Sequence, residues 1–198
     1  AKILMQDIWQ LNVDWDEPLD GEIKERWLNI AQDIKQSTHF TIPRRYFSFQ
    51  PADVTTQLHV FVDASPKAYG AAAYLRQADQ TSFVMAKTRV APLKQMSLPR
   101  LELMAALVGA NLVDFLFKAL KKAFPNLLIT LWSDTQIVLH WLHSGKQLQQ
   151  FVCNRVKEIK RVSAETSWRV LSHSRQPCRI ADKRSYCHTA SFICHLVT

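Results

Sequence analysis

The sequence predicts an α/β fold, a mixed five-stranded sheet flanked by helices and preceded by a separate helical segment. Three observations carry this. The run Leu58-His59-Val60-Phe61-Val62-Asp63 is apolar at odd and even positions alike, as expected of a strand covered on both faces. Leu127-Leu128-Ile129-Thr130-Leu131-Trp132-Ser133-Asp134 repeats the pattern, again ending in an aspartate. Between them Pro99 opens a long helical run, and a strand, helix and strand in this order close as a right-handed parallel crossover that sets the two strand ends side by side.

Residues 1–36 read as two amphipathic helices, with Ile3, Leu4, Ile8 and Leu11 on the first and Trp27, Leu28 and Ile34 on the second. Asp16-Glu17-Pro18-Leu19-Asp20-Gly21 is the turn between them, and Trp9, Trp15 and Trp27 are expected to pack there. Thr41-Ile42-Pro43-Arg44-Arg45-Tyr46-Phe47 reads as a short strand or linker. After the strand ending at Asp63, residues 68–75 form a second strand whose small side chains admit a covering helix, and residues 82–87 form a third. Their short connections make the three an antiparallel meander.

The long helix has a legible solvent stripe at Asn111, Asp114, Lys118, Lys121 and Lys122. At about 100° per residue Glu102 lies opposite it, on the face of Ala105, Ala106 and Gly109. A carboxylate turned toward a sheet must be paired, metal-bound or at a cleft edge. The helix dipole favours a first-turn Glu but does not explain the inward face. Past Asp134, residues 135–144 read as a helix, for which Asp134 is a plain N-cap candidate. Residues 149–163 form a further helix, apolar at Phe151, Val152, Val156 and Ile159 and basic at Arg155, Lys157, Lys160 and Arg161. Residues 166–171 are the last strand, and the tail beyond is basic and irregular.

A chain of 198 residues suits one domain with an appendage, or two small domains. No unbroken apolar run reaches the roughly 18 residues that cross a bilayer, and no N-terminal signal pattern is present. The opening Ala1, already inside a helical run, suggests a piece of a longer polypeptide. The net charge of +8 is unevenly spread: residues 1–54 carry −3, residues 55–150 carry +5 and residues 151–198 carry +6. An acidic front and a basic body point to a polyanionic partner for the body, most simply nucleic acid. Cys153, Cys178, Cys187 and Cys194 suggest no disulfide framework, and with His173, His188 and His195 they match no zinc spacing.

Asp63, Glu102 and Asp134 thus converge by topology. Asp63 alone is equally a cap for the Ala64-Ser65-Pro66-Lys67 turn. Clustered carboxylates repel one another, and a hard divalent cation relieves the repulsion. In a basic surround the chemistry is metal-assisted phosphodiester hydrolysis, with two Mg²⁺ ions about 4 Å apart and Asp63 as the bridging ligand.

The runs Leu58-His-Val-Phe-Val-Asp-Ala-Ser-Pro-Lys-Ala-Tyr-Gly-Ala, Ser97-Leu-Pro-Arg-Leu-Glu-Leu-Met-Ala-Ala, Leu131-Trp-Ser-Asp-Thr and Phe151-Val-Cys-Asn-Arg-Val-Lys-Glu-Ile resemble the ribonuclease H segment of BEL/Pao retrotransposon polyproteins. Ala1-Lys-Ile-Leu-Met-Gln and Trp15-Asp-Glu-Pro-Leu are similar to the connection that trails the reverse transcriptase. The likeness spans residues 1 to about 170 and implies a connection segment at 1–54, a ribonuclease H-like domain at 55–185 and a divergent tail at 186–198. It implies cleavage of the RNA strand of an RNA–DNA hybrid, with Asp63, Glu102 and Asp134 as catalytic metal ligands for Mg²⁺, or Mn²⁺ in its place. Ser65, Arg100 and Gln136 become candidates for substrate contact, in an enzyme that reads 2′-hydroxyls and hybrid shape rather than sequence. The implied partners are the hybrid and the reverse transcriptase of the same polyprotein, with no membrane. The implied setting is a cytoplasmic retrotransposon particle, with the nucleus as alternative.

The tail departs from the family pattern. Ile180-Ala181-Asp182 reads either as a shifted form of the motif that supplies a fourth acid, Asp182, or as the product of a slipped reading frame. Two other functions stay open here. One is a decayed module that binds hybrid without cutting. The other is an aspartic peptidase, a label also attached to this family, although neither Asp63-Ala64-Ser65 nor Asp134-Thr135-Gln136 carries the glycine such a site needs.

Overall fold

The computed structural model describes residues 1–37, 41, 44–48, 54–164 and 166–171. They fall in two compact units, Ala1–Arg44 and Arg45–Thr198.

The first unit pairs α1 (Lys2–Gln10) with α2 (Gly21–Ser37). Asp20 starts α2 by accepting the Ile23 amide on its Oδ1 at 3.0 Å, a standard N-cap. Leu4 and Ile23 are its buried hydrophobic residues, and Arg26 of α2 meets Asp7 of α1 at 2.6 Å. Contrary to expectation, the tryptophans are not packed inside. Trp9, Trp15 and Trp27 are 64%, 84% and 50% exposed, and Trp9 and Trp15 meet only edge to face, 6.4 Å apart. Two short helices share one seam, which Leu4 and Ile23 fill, and the indoles are left at its outside.

The second unit is built on the sheet β3-β2-β1-β4-β5. Its strands are β1 (Gln57–Ala64), β2 (Ala68–Gln77), β3 (Gln80–Val90), β4 (Leu128–Ser133) and β5 (Ser167–Val170). The first three form the antiparallel meander read from the sequence, while β4 runs parallel to β1 and β5 parallel to β4. Its helices are α3 (Leu98–Leu120), α4 (Gln136–His143) and α5 (Gln150–Val162). The mixed five-stranded α/β fold and its element order are therefore as expected. Among the described residues, 44–48 form no strand. Phe47 is buried and packs edge to face on Phe124, with ring centres 6.3 Å apart.

Helix α3 is the centre of the core. One side lies on Leu58, Val60, Val62, Ala71, Ala73, Leu75 and Leu131 of the sheet. The other presents Leu103, Ala106 and Ala110 to Val138 and Leu142 of α4 and to Val152, Val156 and Ile159 of α5. Gly109 makes the close approach possible, since a Cβ there would run into the Val62 side chain. By length and composition α3 is apolar enough to cross a membrane, which counting unbroken apolar runs did not reveal. Its apolar sides are spent on the sheet and on α4 and α5, as in a core helix of a globular domain.

The opposite face of the sheet carries a row of rings. Phe61 stacks on Trp132 at 6.1 Å and meets Tyr74 edge-on at 6.0 Å, and Tyr74 meets Phe83 at 5.4 Å. Strand β4 is less covered than expected. Leu131 and Ser133 are its buried residues, because its outer neighbour β5 is a short edge strand.

Candidate active site

Strand register fixes the first two acids. Val62 of β1 pairs with Ser133 of β4 in parallel, so Asp63 and Asp134 follow at the same end of neighbouring strands. Ser65 closes the turn after Asp63. Ser65 donates its amide to the Ala68 carbonyl at 2.8 Å, and its Oγ accepts the amides of Lys67 and Ala68 at 3.3 and 3.2 Å. Asp63 Oδ1 accepts the Ala64 amide at 2.8 Å, a contact with its own neighbour.

Asp134 is not the cap of α4. That role falls to Thr135, whose Oγ1 accepts the Ile137 amide at 3.3 Å, while Asp134 stays exposed. The third acid comes from α3, which starts at Ser97 with Pro99 in its first turn. Glu102 follows one turn later on the sheet side, only 6% exposed.

The three carboxylates each offer one oxygen, and these oxygens lie within 4.8 Å of one another. Glu102 Oε2 is buried with no hydrogen-bond partner among the described residues. Burial, then the negative charge of Asp134 and then that of Asp63 push the Glu102 carboxyl up to about 8. An orphaned buried oxygen facing two further carboxylates is the donor set of a hard divalent cation. The residues therefore fit a hard divalent cation.

The candidates for substrate contact fare differently. Gln136 is exposed at the start of α4. Arg100 is exposed in the first turn of α3, its Nη2 donating to Gln149 Oε1 at 3.2 Å. The Ser65 hydroxyl is engaged in the turn, donating to the Ala68 carbonyl at 3.2 Å as well as accepting. Asp182 and the cysteine and histidine residues of the tail lie outside the described residues. Sequence reading missed Phe151 as more than an apolar residue. Its ring lies beneath both Arg100 and Arg155, a contact between helices that no periodicity reveals.

The model of a family described as the Pao retrotransposon-like RNaseH-like domain matches residues 1–135, a span that includes all three clustered acids. Among solved structures, RNase H1 of the halophilic archaeon Halobacterium salinarum is 17% identical, with 60% of this chain and 86% of that one covered and a TM-score of 0.42. LC11-RNase H1 in complex with an RNA/DNA hybrid is 6% identical over 61% of this chain and 88% of that one, with a TM-score of 0.40. A foamy viral protease-reverse transcriptase in complex with an RNA/DNA hybrid is 12% identical over 83% of this chain and 21% of that one, with a TM-score of 0.45. No curated protein matches the chain.

Proposed function

The chain belongs to the Pao retrotransposon-like RNaseH-like domain family, and from that premise we propose that it is a metal-dependent endonuclease that hydrolyses the RNA strand of RNA–DNA hybrids during retrotransposon reverse transcription. The observation that carries this reading is the cluster of Asp63, Glu102 and Asp134, with the Glu102 Oε2 buried and unpartnered. An aspartic peptidase shares one proton between two carboxylates on glycine-bearing loops, and a third, buried acid has no part in that chemistry.

Asp63, Glu102 and Asp134 would hold the ions, Asp63 as the shared ligand, with Asp182 as a fourth. When bound, two divalent ions activate a water and stabilise the departing oxygen of the phosphodiester. The protein supplies the rest. Parallel pairing of β1 and β4 fixes the Asp63 and Asp134 backbones at one sheet end. The buried seat of Glu102 leaves its Oε2 without a hydrogen-bond partner and its carboxyl holding a proton, which a bound cation would displace. The basic second unit draws the polyanion in, and Arg100, Gln136 and the Ser65 turn border the site where substrate contacts it. In the polyprotein the partner on the N-terminal side is the reverse transcriptase, and the setting is the cytoplasmic particle or the nucleus.

The test is cleavage of a hybrid with labelled RNA in Mg²⁺, beside single-stranded RNA and duplex DNA. RNA cut only in the hybrid, only with metal, and not by Asp63→Asn is the expected result. RNA left intact by a folded wild-type protein in Mg²⁺ and Mn²⁺ contradicts it and leaves a hybrid-binding module.

A further inference from the structure

Two arginines from different helices share one aromatic ring. The guanidinium of Arg155, on α5, lies 3.7 Å from the centre of the Phe151 ring, and that of Arg100, on α3, lies 5.2 Å from it. Both are tied down through neutral acceptors. Arg100 Nη2 donates to Gln149 Oε1 at 3.2 Å, and Arg155 Nη1 donates to the Phe151 carbonyl at 3.3 Å. Neither bond cancels charge, and each guanidinium keeps most of its five donors.

Among the described residues no carboxylate forms an ion pair with either arginine. The contrast on α5 is direct, since Arg161 is held by both oxygens of Glu158 at 2.8 and 2.9 Å. Two like charges gathered at one ring repel, and a bound anion relieves the repulsion. The ring itself has a foot in the core: Phe151 packs against the cluster formed by Leu103, Val152 and Val156. The ring thereby links both guanidinium groups to the core. Arg100 stands two residues before Glu102, so the pair sits at the end of α3 that carries the carboxylate cluster.

We propose that Arg100 and Arg155 form a clamp for a backbone phosphodiester of the nucleic acid, with Phe151 as the residue that positions them. The inference rests on the reading of the chain as a hybrid-binding nuclease and adds a binding element on α5, beyond the span of the family match. Arginine suits the role because its planar fork takes two phosphate oxygens at once. Phe151 touches no substrate and acts only through the two cations.

The test measures binding of a labelled RNA–DNA hybrid by anisotropy in Ca²⁺ from 50 to 200 mM salt, with cleavage kinetics in Mg²⁺ beside it. Arg100→Ala and Arg155→Ala are each expected to lower the slope of log K against log salt by about 1. Phe151→Leu is expected to weaken binding about two- to fivefold and to raise KM in step with kcat unchanged, whereas Phe151→Tyr, which keeps the ring, stays at the wild-type value. Lys122→Ala, just past the far end of α3, serves as the control. An unchanged slope in both arginine variants overturns the clamp, as does Phe151→Tyr weakening binding as much as Phe151→Leu. Should Phe151→Leu fail to fold, the arginine slopes decide alone. A wild-type protein that binds with the expected slopes but does not cut keeps the clamp and loses the nuclease. One that binds no hybrid loses both.

Discussion

The Oγ1 of Thr135 accepts the backbone amide of Ile137, 3.3 Å away, and so caps α4 in place of Asp134. The two neighbours therefore divide stability from chemistry. Thr135→Ala should cost about 1 kcal/mol in denaturant unfolding and leave metal binding in place. Asp134→Asn should leave the metal-free fold as stable as wild type, or slightly more so by easing repulsion with Glu102, and abolish hybrid cleavage. A loss of about 1 kcal/mol in Asp134→Asn would return the cap role to it.

Gly109 faces Val62 with no room for a methyl group between them. Gly109→Ala forces α3 off the sheet or Val62 off its rotamer, and the expected cost is about 1–3 kcal/mol. Val62 immediately precedes Asp63, so hybrid cleavage should fall as well. Val62→Ala in the same chain should recover part of the stability, because the truncated side chain clears the space. Unfolding curves of the two single variants and the double variant measure that coupling.

Stability without metal should depend on pH through Glu102. Its folded-state carboxyl is raised from 4.5 to about 8, so between these values the folded chain holds a proton that the unfolded chain releases. The contribution of the neutral acid is fully present below pH 4.5 and is lost as pH rises through about 8. In EDTA the melting temperature of the wild type should therefore fall across this window, by at most a few kcal/mol of stability. Glu102→Gln should flatten the dependence. Adding Mg²⁺ at pH 8 should restore stability to the wild type and much less to Glu102→Gln. Parallel pH profiles for the two proteins would remove Glu102 from the account.

Much of this was legible in the chain because each signal was local or set by topology. The apolar strands ending in Asp63 and Asp134 were read from composition, and the inward turn of Glu102 from helical spacing against the stripe of Asn111, Asp114 and Lys118. Parallel closure of β1 on β4 then followed from the handedness of crossovers. Other features depend on contacts that spacing does not encode. Trp9, Trp15 and Trp27 look like core residues by type, yet a two-helix seam has no interior to hold them. Choosing between Asp134 and Thr135 as cap turns on where the strand ends, a matter of one residue. Arg100 and Arg155 both reach Phe151 only because α3 and α5 pack side by side, although the two arginines stand far apart in the sequence.

The central claim is that Asp63, Glu102 and Asp134 hold divalent metal together, and Mn²⁺ binding followed by electron paramagnetic resonance tests it most directly. Wild-type protein should take up Mn²⁺ at pH 8, and Asp63→Asn, Glu102→Gln and Asp134→Asn, each still folded, should each bind it far more weakly, with Mg²⁺ displacing the bound ion from the wild type. Mn²⁺ uptake unchanged in all three variants would contradict the account.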